Sequence, residues 1–380
     1  MLTADMKLVS VDDHLLEPPH TWSSRLTARH REAGPRVVEH EGHEVWTMEG
    51  KPYAALLRSY AMSGQDRASG DNGPIRYAEM RPGCYDPVAR LADMDIDGVW
   101  AQLCFPSWAR FAGTRFLACR DLDLGLACVR AYNDFVLDEW CADSGGRQIP
   151  MVILPLWDVA ACVAEIERTA LRGARAISFP ENPAPLGLPS WHSRQWDPVL
   201  AAAQAARMPL CLHFGTSGAT TSTSPDCPDS VRYTLLACNS MGLTADLLFS
   251  GVFVRFPGLK VALSEGGIGW MPYLLERADY TWEGHRKMEP ETDFGVRPSE
   301  MFVGHVYGCF IDDAVGLAER HRIGVDQIMW ESDYPHTDSA WPDSRTKLAE
   351  RMREVPDDEV RRMVELNASA LFRLEPVAVR

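Results

Sequence analysis

Eight short apolar runs recur along the chain, at residues 7–14, 98–104, 149–156, 174–179, 209–214, 260–265, 307–311 and 328–333. Most are followed by stretches in which apolar residues return every three to four positions: 121–142, 158–171, 196–206, 229–255, 270–285, 313–321 and 344–353. The first pattern predicts strands and the second amphipathic helices. Strands that are apolar on both faces belong to parallel sheets covered by helices, and eight such units predict an α/β chain closed into a (β/α)8 TIM barrel. An open doubly wound sheet is the alternative. No G-x-G-x-x-G follows the first strand, which counts against it.

The rhythm breaks between about 17 and 87. Within that stretch, 43–48 and 51–54 alternate polar and apolar residues around Glu49-Gly50, predicting a β-hairpin with Gly50 at its turn. Residues 59–82 are rich in Gly, Ser, Asp and Arg and read as a long loop. An insertion after the first strand of a barrel lies on the catalytic face, where it can act as a lid. The expected organisation is one domain over 1–380 with a lid-like insertion at 17–87.

Composition narrows the partners. Hydrophobic residues make up 46% and charged residues 24%, an ordinary globular balance able to bury a sizeable core. With 53 acidic against 38 basic residues the formal net charge is −15, which argues against nucleic acid or an anionic membrane as partner. An anionic small substrate stays compatible, because a metal and one or two arginines can reverse the field locally. None of the ten cysteines stands at C-x-x-C spacing, and several lie in apolar runs, so buried reduced thiols are expected rather than a thiolate metal site. No basic and apolar leader opens the chain and no apolar run approaches about 18 residues, so a cytoplasmic protein is expected.

Three strand ends carry candidate metal ligands. The first strand ends Val11-Asp12-Asp13-His14, and alternation puts Asp12 and His14 on one face with Asp13 on the other. The fifth ends Leu212-His213-Phe214, and the eighth Glu331-Ser332-Asp333. Strand ends converge over a barrel's axis, so Asp12, His14, His213 and Asp333 can meet there. Two imidazoles with two carboxylates suit Zn²⁺, Mn²⁺ or Fe²⁺.

These motifs, Val11-Asp12-Asp13-His14-Leu15-Leu16-Glu17-Pro18-Pro19, Leu212-His213-Phe214-Gly215, Ser264-Glu265-Gly266-Gly267-Ile268-Gly269-Trp270 and Ser332-Asp333-Tyr334-Pro335-His336, resemble the amidohydrolase-related family. The similarity is to the branch of the amidohydrolase superfamily that includes aminocarboxymuconate-semialdehyde decarboxylase and γ-resorcylate decarboxylase. Arg90–Val99, Arg130–Asp134 and Asn367–Phe372 are similar too, so the resemblance runs over almost the whole chain. It implies one divalent ion, Zn²⁺ or Mn²⁺, on Asp12, His14, His213 and Asp333. It also implies a small-molecule carboxylate or amide substrate and a homodimer or higher homo-oligomer. The chain departs from the family at two places: Asp12-x-His14 stands where many members have His-x-His, and Glu265 stands where well-studied members carry a strand-6 histidine.

Two reactions follow. In non-oxidative decarboxylation of a small aromatic or unsaturated acid, the metal holds the substrate carboxylate and an acid protonates the carbon that loses CO₂. Asp333 serves if crowding by Asp12 and Glu265 keeps it protonated. In hydrolysis of an amide, lactone or C–C bond, the metal lowers the pKa of water from about 16 towards 7 and Asp333 takes the proton. The resemblance favours the carboxy-lyase, with the hydrolase as alternative and a non-catalytic binding protein as the third reading. Glu265 and His336 are further catalytic candidates. Arg115 and Arg58 can clamp a carboxylate, and Trp108 can stack on an aromatic substrate. The glycines of 265–269 lack the Lys-Ser/Thr of a P-loop and are expected to form a tight strand-to-helix turn.

Overall fold

The computed structural model describes residues 1–374; positions 375–380 of the expected domain lie outside the described residues. Eight parallel strands form the barrel. They are β1 (Leu8–Leu15), β2 (Val99–Pro106), β3 (Gln148–Ile149 and Met151–Val152), β4 (Ala176–Ser178), β5 (Leu210–His213), β6 (Val261–Ser264), β7 (Val306–Phe310) and β8 (Ile328–Trp330). Pro150, which has no N–H to donate, divides β3 between two arcs: Gln148 and Ile149 pair with β2, and Met151 and Val152 with β4. The arcs close between β8 and β1 by single bonds instead of a ladder. His14 N donates to the Tyr334 carbonyl at 2.7 Å, Asp333 N to the Asp12 carbonyl at 2.9 Å, and Ser332 N to Ser10 Oγ at 2.8 Å.

Small side chains fill the barrel interior, among them Ala101, Ala176, Cys211, Ala262 and Cys309. Their outward neighbours, such as Leu210, Leu212, Val261 and Leu263, pack under the helices. On β1 the register slips between Ser10 and Asp13. Such a bulge inverts the alternation: Val9 and Val11 join the interior, yet beyond the slip Asp12 and His14 face the axis.

The strands are shorter than the apolar runs, so Glu265 and Asp333 lie just past the ends of β6 and β8. Both hold a left-handed φ of 54°, a conformation that β-carbons disfavour and that turns each side chain out of the strand's course. Aspartate caps start the helices after β2, β3 and β7. Asp121 accepts from Leu124 N at 3.2 Å, Asp158 from Ala161 N at 3.0 Å and Asp313 from Gly316 N at 2.7 Å.

Three expectations need correction. The helix expected over 229–255 is three, Asp229–Thr234, Ala237–Phe249 and Val252–Arg255, interrupted near Leu235 and at Gly251 (φ 71°). The helix Pro87–Asp97 was not foreseen, although Asp86 caps it, Pro87 opens it and Gly98 ends it in the left-handed region. The expected hairpin forms with Gly50 at its turn, but it belongs to a three-stranded antiparallel sheet that Arg36–His40 joins through a second Glu-Gly turn at Glu41-Gly42.

The insertion sits firmly on the barrel. Trp22 and Trp46 pack against Trp108 of the β2 loop, each pair of rings about 5.0 Å apart. The Glu17 carboxylate accepts from Trp108 N at 2.8 Å and Ala109 N at 3.0 Å. Eight of the ten cysteines are buried, and all ten are free of disulfides.

Candidate functional site

The strand ends bring Asp12, His14, His213, Glu265, Asp333 and His336 into one cluster. His14 Nε2 lies 3.5 Å from Asp12 Oδ1 and 3.1 Å from Asp333 Oδ1. His213 Nε2 lies 3.5 Å from Asp12 Oδ2 and 3.1 Å from Glu265 Oε2. His336 Nδ1 reaches Asp333 Oδ1 at 3.0 Å, and its ring stacks on His14 with centroids 3.7 Å apart. Ligand atoms of Asp12, His14, His213 and Glu265 fall within 4.8 Å of one another, and those of His14, Asp333 and His336 form a second such group sharing His14. Glu265 therefore stands inside the ligand cluster.

The donor set fits a divalent cation. Both Asp12 carboxylate oxygens, both His14 ring nitrogens and His213 Nε2 are buried and lack a well-aligned hydrogen-bond partner. Buried polar atoms are costly in that state, and a cation satisfies several at once. His213 Nδ1 bonds the Phe214 carbonyl at 2.7 Å, which fixes the tautomer that leaves a lone pair on Nε2. Phe111 closes over the two imidazoles, 4.6 Å from His14 and 4.2 Å from His213, and keeps water from them.

The surroundings bias protonation unequally. Burial, reinforced by Glu331, Glu265 and Asp333, pushes the Asp12 carboxyl well up. Burial and Asp333 push Glu265 up to about 7 against the pull of His213. Asp333 moves the opposite way. Burial would raise it, but His336 and His14 hold it below the usual carboxylate range. The protonated Asp333 expected from crowding is thus disfavoured, because its nearest neighbours are imidazoles. Burial and His336 push His14 down, while Asp333 and Glu265 push His336 up in spite of its burial.

A cavity of about 360 Å³ opens over this cluster, lined by Glu265, Asp333 and His336 together with Tyr60, Phe214 and Arg232. None of the three expected substrate residues lines it. Trp108 is 2% exposed and spent on the aromatic core beneath the insertion. Arg115 donates to the Trp108 carbonyl and lies 4.5 Å from the Tyr53 ring centroid. Arg58 pairs with Asp71 at 2.9 Å and donates to Gln65 at 3.0 Å, bracing the 59–82 loop.

The neighbours of Arg58 and Trp108 reach the site where those residues do not: Tyr60 packs edge-on against His336 at 5.6 Å, and Phe111 follows Trp108 by three positions. Arg232, on the short helix Asp229–Thr234, carries no signal in the sequence, where 229–255 reads as one continuous helix. Glu331 was also missed; its buried carboxylate accepts from Glu265 N at 3.1 Å and holds that left-handed turn. The glycines of 265–269 do form a tight turn, and a side chain on Gly266 would come within 2.5 Å of Ser240 Oγ.

Comparison with known proteins bears on the fold and the family. An amidohydrolase from Mycobacterium avium subsp. paratuberculosis K-10 superposes with a TM-score of 0.73 at 21% identity, over 97% of this chain and 99% of its own. The 5-carboxyvanillate decarboxylase LigW from Sphingomonas paucimobilis matches with a TM-score of 0.63 at 20% identity, over 98% and 100%. A 5-carboxyvanillate decarboxylase from Novosphingobium aromaticivorans, solved with manganese and 3-methoxy-4-hydroxy-5-nitrobenzoic acid, matches with a TM-score of 0.69 at 17% identity, over 98% of each chain. At these identities the likeness establishes the barrel fold. The family model described as Amidohydrolase matches residues 20–374, nearly the full length. The chain belongs to the amidohydrolase family.

Proposed function

We propose that this enzyme is a metal-dependent carboxy-lyase acting on a small aromatic or unsaturated carboxylic acid. The observation that carries the reading is the buried, unpartnered donor set at the strand ends, opening into a cavity that also holds Glu265 and His336. Asp12, His14, His213 and Asp333 would hold one divalent ion, Mn²⁺ or Zn²⁺, with Glu265 beside them. When bound, the ion would supply positive charge and Lewis acidity to an anionic substrate at the strand ends. Manganese and a nitrobenzoic acid bound in one structural neighbour, a point mutant, and the decarboxylase names of two support this reading.

The chain's own groups handle the proton. Asp333 holds His336 by Nδ1 at 3.0 Å, which leaves Nε2 buried, without a partner and on the cavity wall. His336 Nε2 delivers its proton to the ring or vinyl carbon as CO₂ departs and the electron pair stays on that carbon, and solvent restores it. Phe111, Tyr60 and Phe214 exclude water and flank a planar body. Glu265, beside His213, orients the substrate.

A metal-dependent hydrolase is the second reading. It is favoured by Glu265 standing on the cavity wall 3.1 Å from His213 Nε2, where a carboxylate can take a proton from water. Protein loaded with Mn²⁺ or Zn²⁺ and assayed on hydroxybenzoates and related unsaturated acids, beside amides and lactones, separates the two. The expected outcome is CO₂ release from at least one acid, with no amide or lactone turnover. Turnover of amides or lactones without CO₂ release overturns the carboxy-lyase and installs the hydrolase.

A further inference from the structure

The turn after β6 is braced to present one side chain. Glu265 holds a left-handed φ of 54°, a strained state for a residue with a β-carbon. The buried Glu331 carboxylate, just past β8, accepts from Glu265 N through both oxygens at 3.1 Å. Asp313, after β7, accepts from Ile268 N at 2.8 Å and Gly269 N at 2.7 Å. Two other strand ends thus fix the conformation that turns the Glu265 side chain to the cluster.

There it meets the wrong kind of atom for a hydrogen bond. Glu265 Oε2 lies 3.1 Å from His213 Nε2, while His213 Nδ1 donates to the Phe214 carbonyl at 2.7 Å. In that neutral tautomer Nε2 offers a lone pair, so two acceptors face each other in a buried site. A proton on Glu265 would settle this one contact and leave both Asp12 oxygens unmatched; a cation settles all of them. Bonds of about 2.0–2.2 Å set adjacent donors of one ion roughly 3.0–3.5 Å apart. The separations His213–Glu265 at 3.1 Å, His213–Asp12 at 3.5 Å and His14–Asp12 at 3.5 Å have that spacing.

From this geometry we infer that Glu265 is itself a metal ligand, beside Asp12, His14, His213 and Asp333, and that it shifts the site's relative affinity towards Mn²⁺ and away from Zn²⁺. This chain has a third carboxylate where the family resemblance implies an imidazole. Carboxylate oxygens suit Mn²⁺, whereas imidazoles suit Zn²⁺. With Oε2 turned to the ion, the other oxygen serves the cavity that Glu265 lines. The inference rests on the four-residue metal reading and is independent of the reaction that follows.

The test is calorimetric titration of chelator-stripped protein with Mn²⁺ and with Zn²⁺, in wild type, E265Q and E265H, together with the water-proton relaxation enhancement of bound Mn²⁺. Wild type is expected to take up one equivalent of either ion. E265Q should bind Mn²⁺ about 100-fold and Zn²⁺ about tenfold more weakly. Its bound Mn²⁺ should show a larger relaxation enhancement, because water replaces the lost carboxylate. E265H should bind Zn²⁺ within about threefold of wild type while Mn²⁺ affinity falls about 100-fold. Metal-free E265Q should melt no lower than wild type, since it removes one of several crowded carboxylates, so its weaker binding is not unfolding. Unchanged Mn²⁺ affinity or unchanged relaxation enhancement in E265Q overturns the assignment and leaves Glu265 a cavity-wall carboxylate, with the four-residue site intact. Wild type that binds neither ion removes that site, and the role of Glu265 with it.

Discussion

The role proposed for His336 follows from its neighbours. Asp333 occupies Nδ1, the His14 ring covers one face and Tyr60 abuts the edge, so Nε2 alone is free for chemistry. His336→Gln is expected to retain wild-type manganese content while turnover falls about 100-fold, the usual contribution of a positioned acid. Steady-state kinetics with metal analysis checks this, and near wild-type turnover would remove His336 from the reaction. The meeting of the candidate ligands and His336 was legible because each stands at or beyond a strand end, where a barrel puts its chemistry. Trp108, Arg115 and Arg58 lie off the cavity for one shared reason. A loop position shows that a residue lies on the catalytic face, but whether its side chain turns to the cavity or to the core depends on packing partners distant in sequence, such as Trp22 and Trp46.

The seam between β8 and β1 is where elements determine the site. Asp13 faces away from the axis and accepts from Ser332 Oγ at 2.5 Å and Tyr334 N at 2.8 Å, both from the segment that carries Asp333. Arg90, fully buried, donates to the His14 and Gly83 carbonyls from behind β1. Asp13→Ala is expected to cost about 2–4 kcal/mol of stability, since it strands a buried N–H and leaves Arg90 without its nearby carboxylate. Denaturant unfolding measures this, and a loss under about 0.5 kcal/mol, the range of an ordinary surface change, would show that the seam does not depend on Asp13. The eight strands were readable from apolar runs alone, because burial on both faces leaves no other pattern. The slip in β1 was not, because it arises from pairing with β2. Nor were the breaks in 229–255, where apolar periodicity continues through a change of direction.

Across the whole molecule, no helix among the described residues is long and apolar enough to cross a membrane. The barrel's energetic weak point is its buried group of acids and imidazoles. An ion that binds the folded state and not the unfolded chain stabilises it, so Mn²⁺ at about 100 times its Kd should add about 2.7 kcal/mol and raise Tm by a few degrees. His213→Ala should abolish that rise; calorimetric scans with and without Mn²⁺ decide it, and an equal rise in both proteins would place the ion elsewhere. The seam has one further consequence, in time. Asp13 and its partner Ser332 are 319 positions apart, so Asp12 and His14 leave the ribosome long before the segment that completes their cluster. At about 5–20 residues per second, the wait is roughly 15 s to a minute. A nascent chain stalled before β8 presents an open barrel edge and lacks Asp333, one of the four proposed ligands, so the proposed site is complete only at the end of biosynthesis.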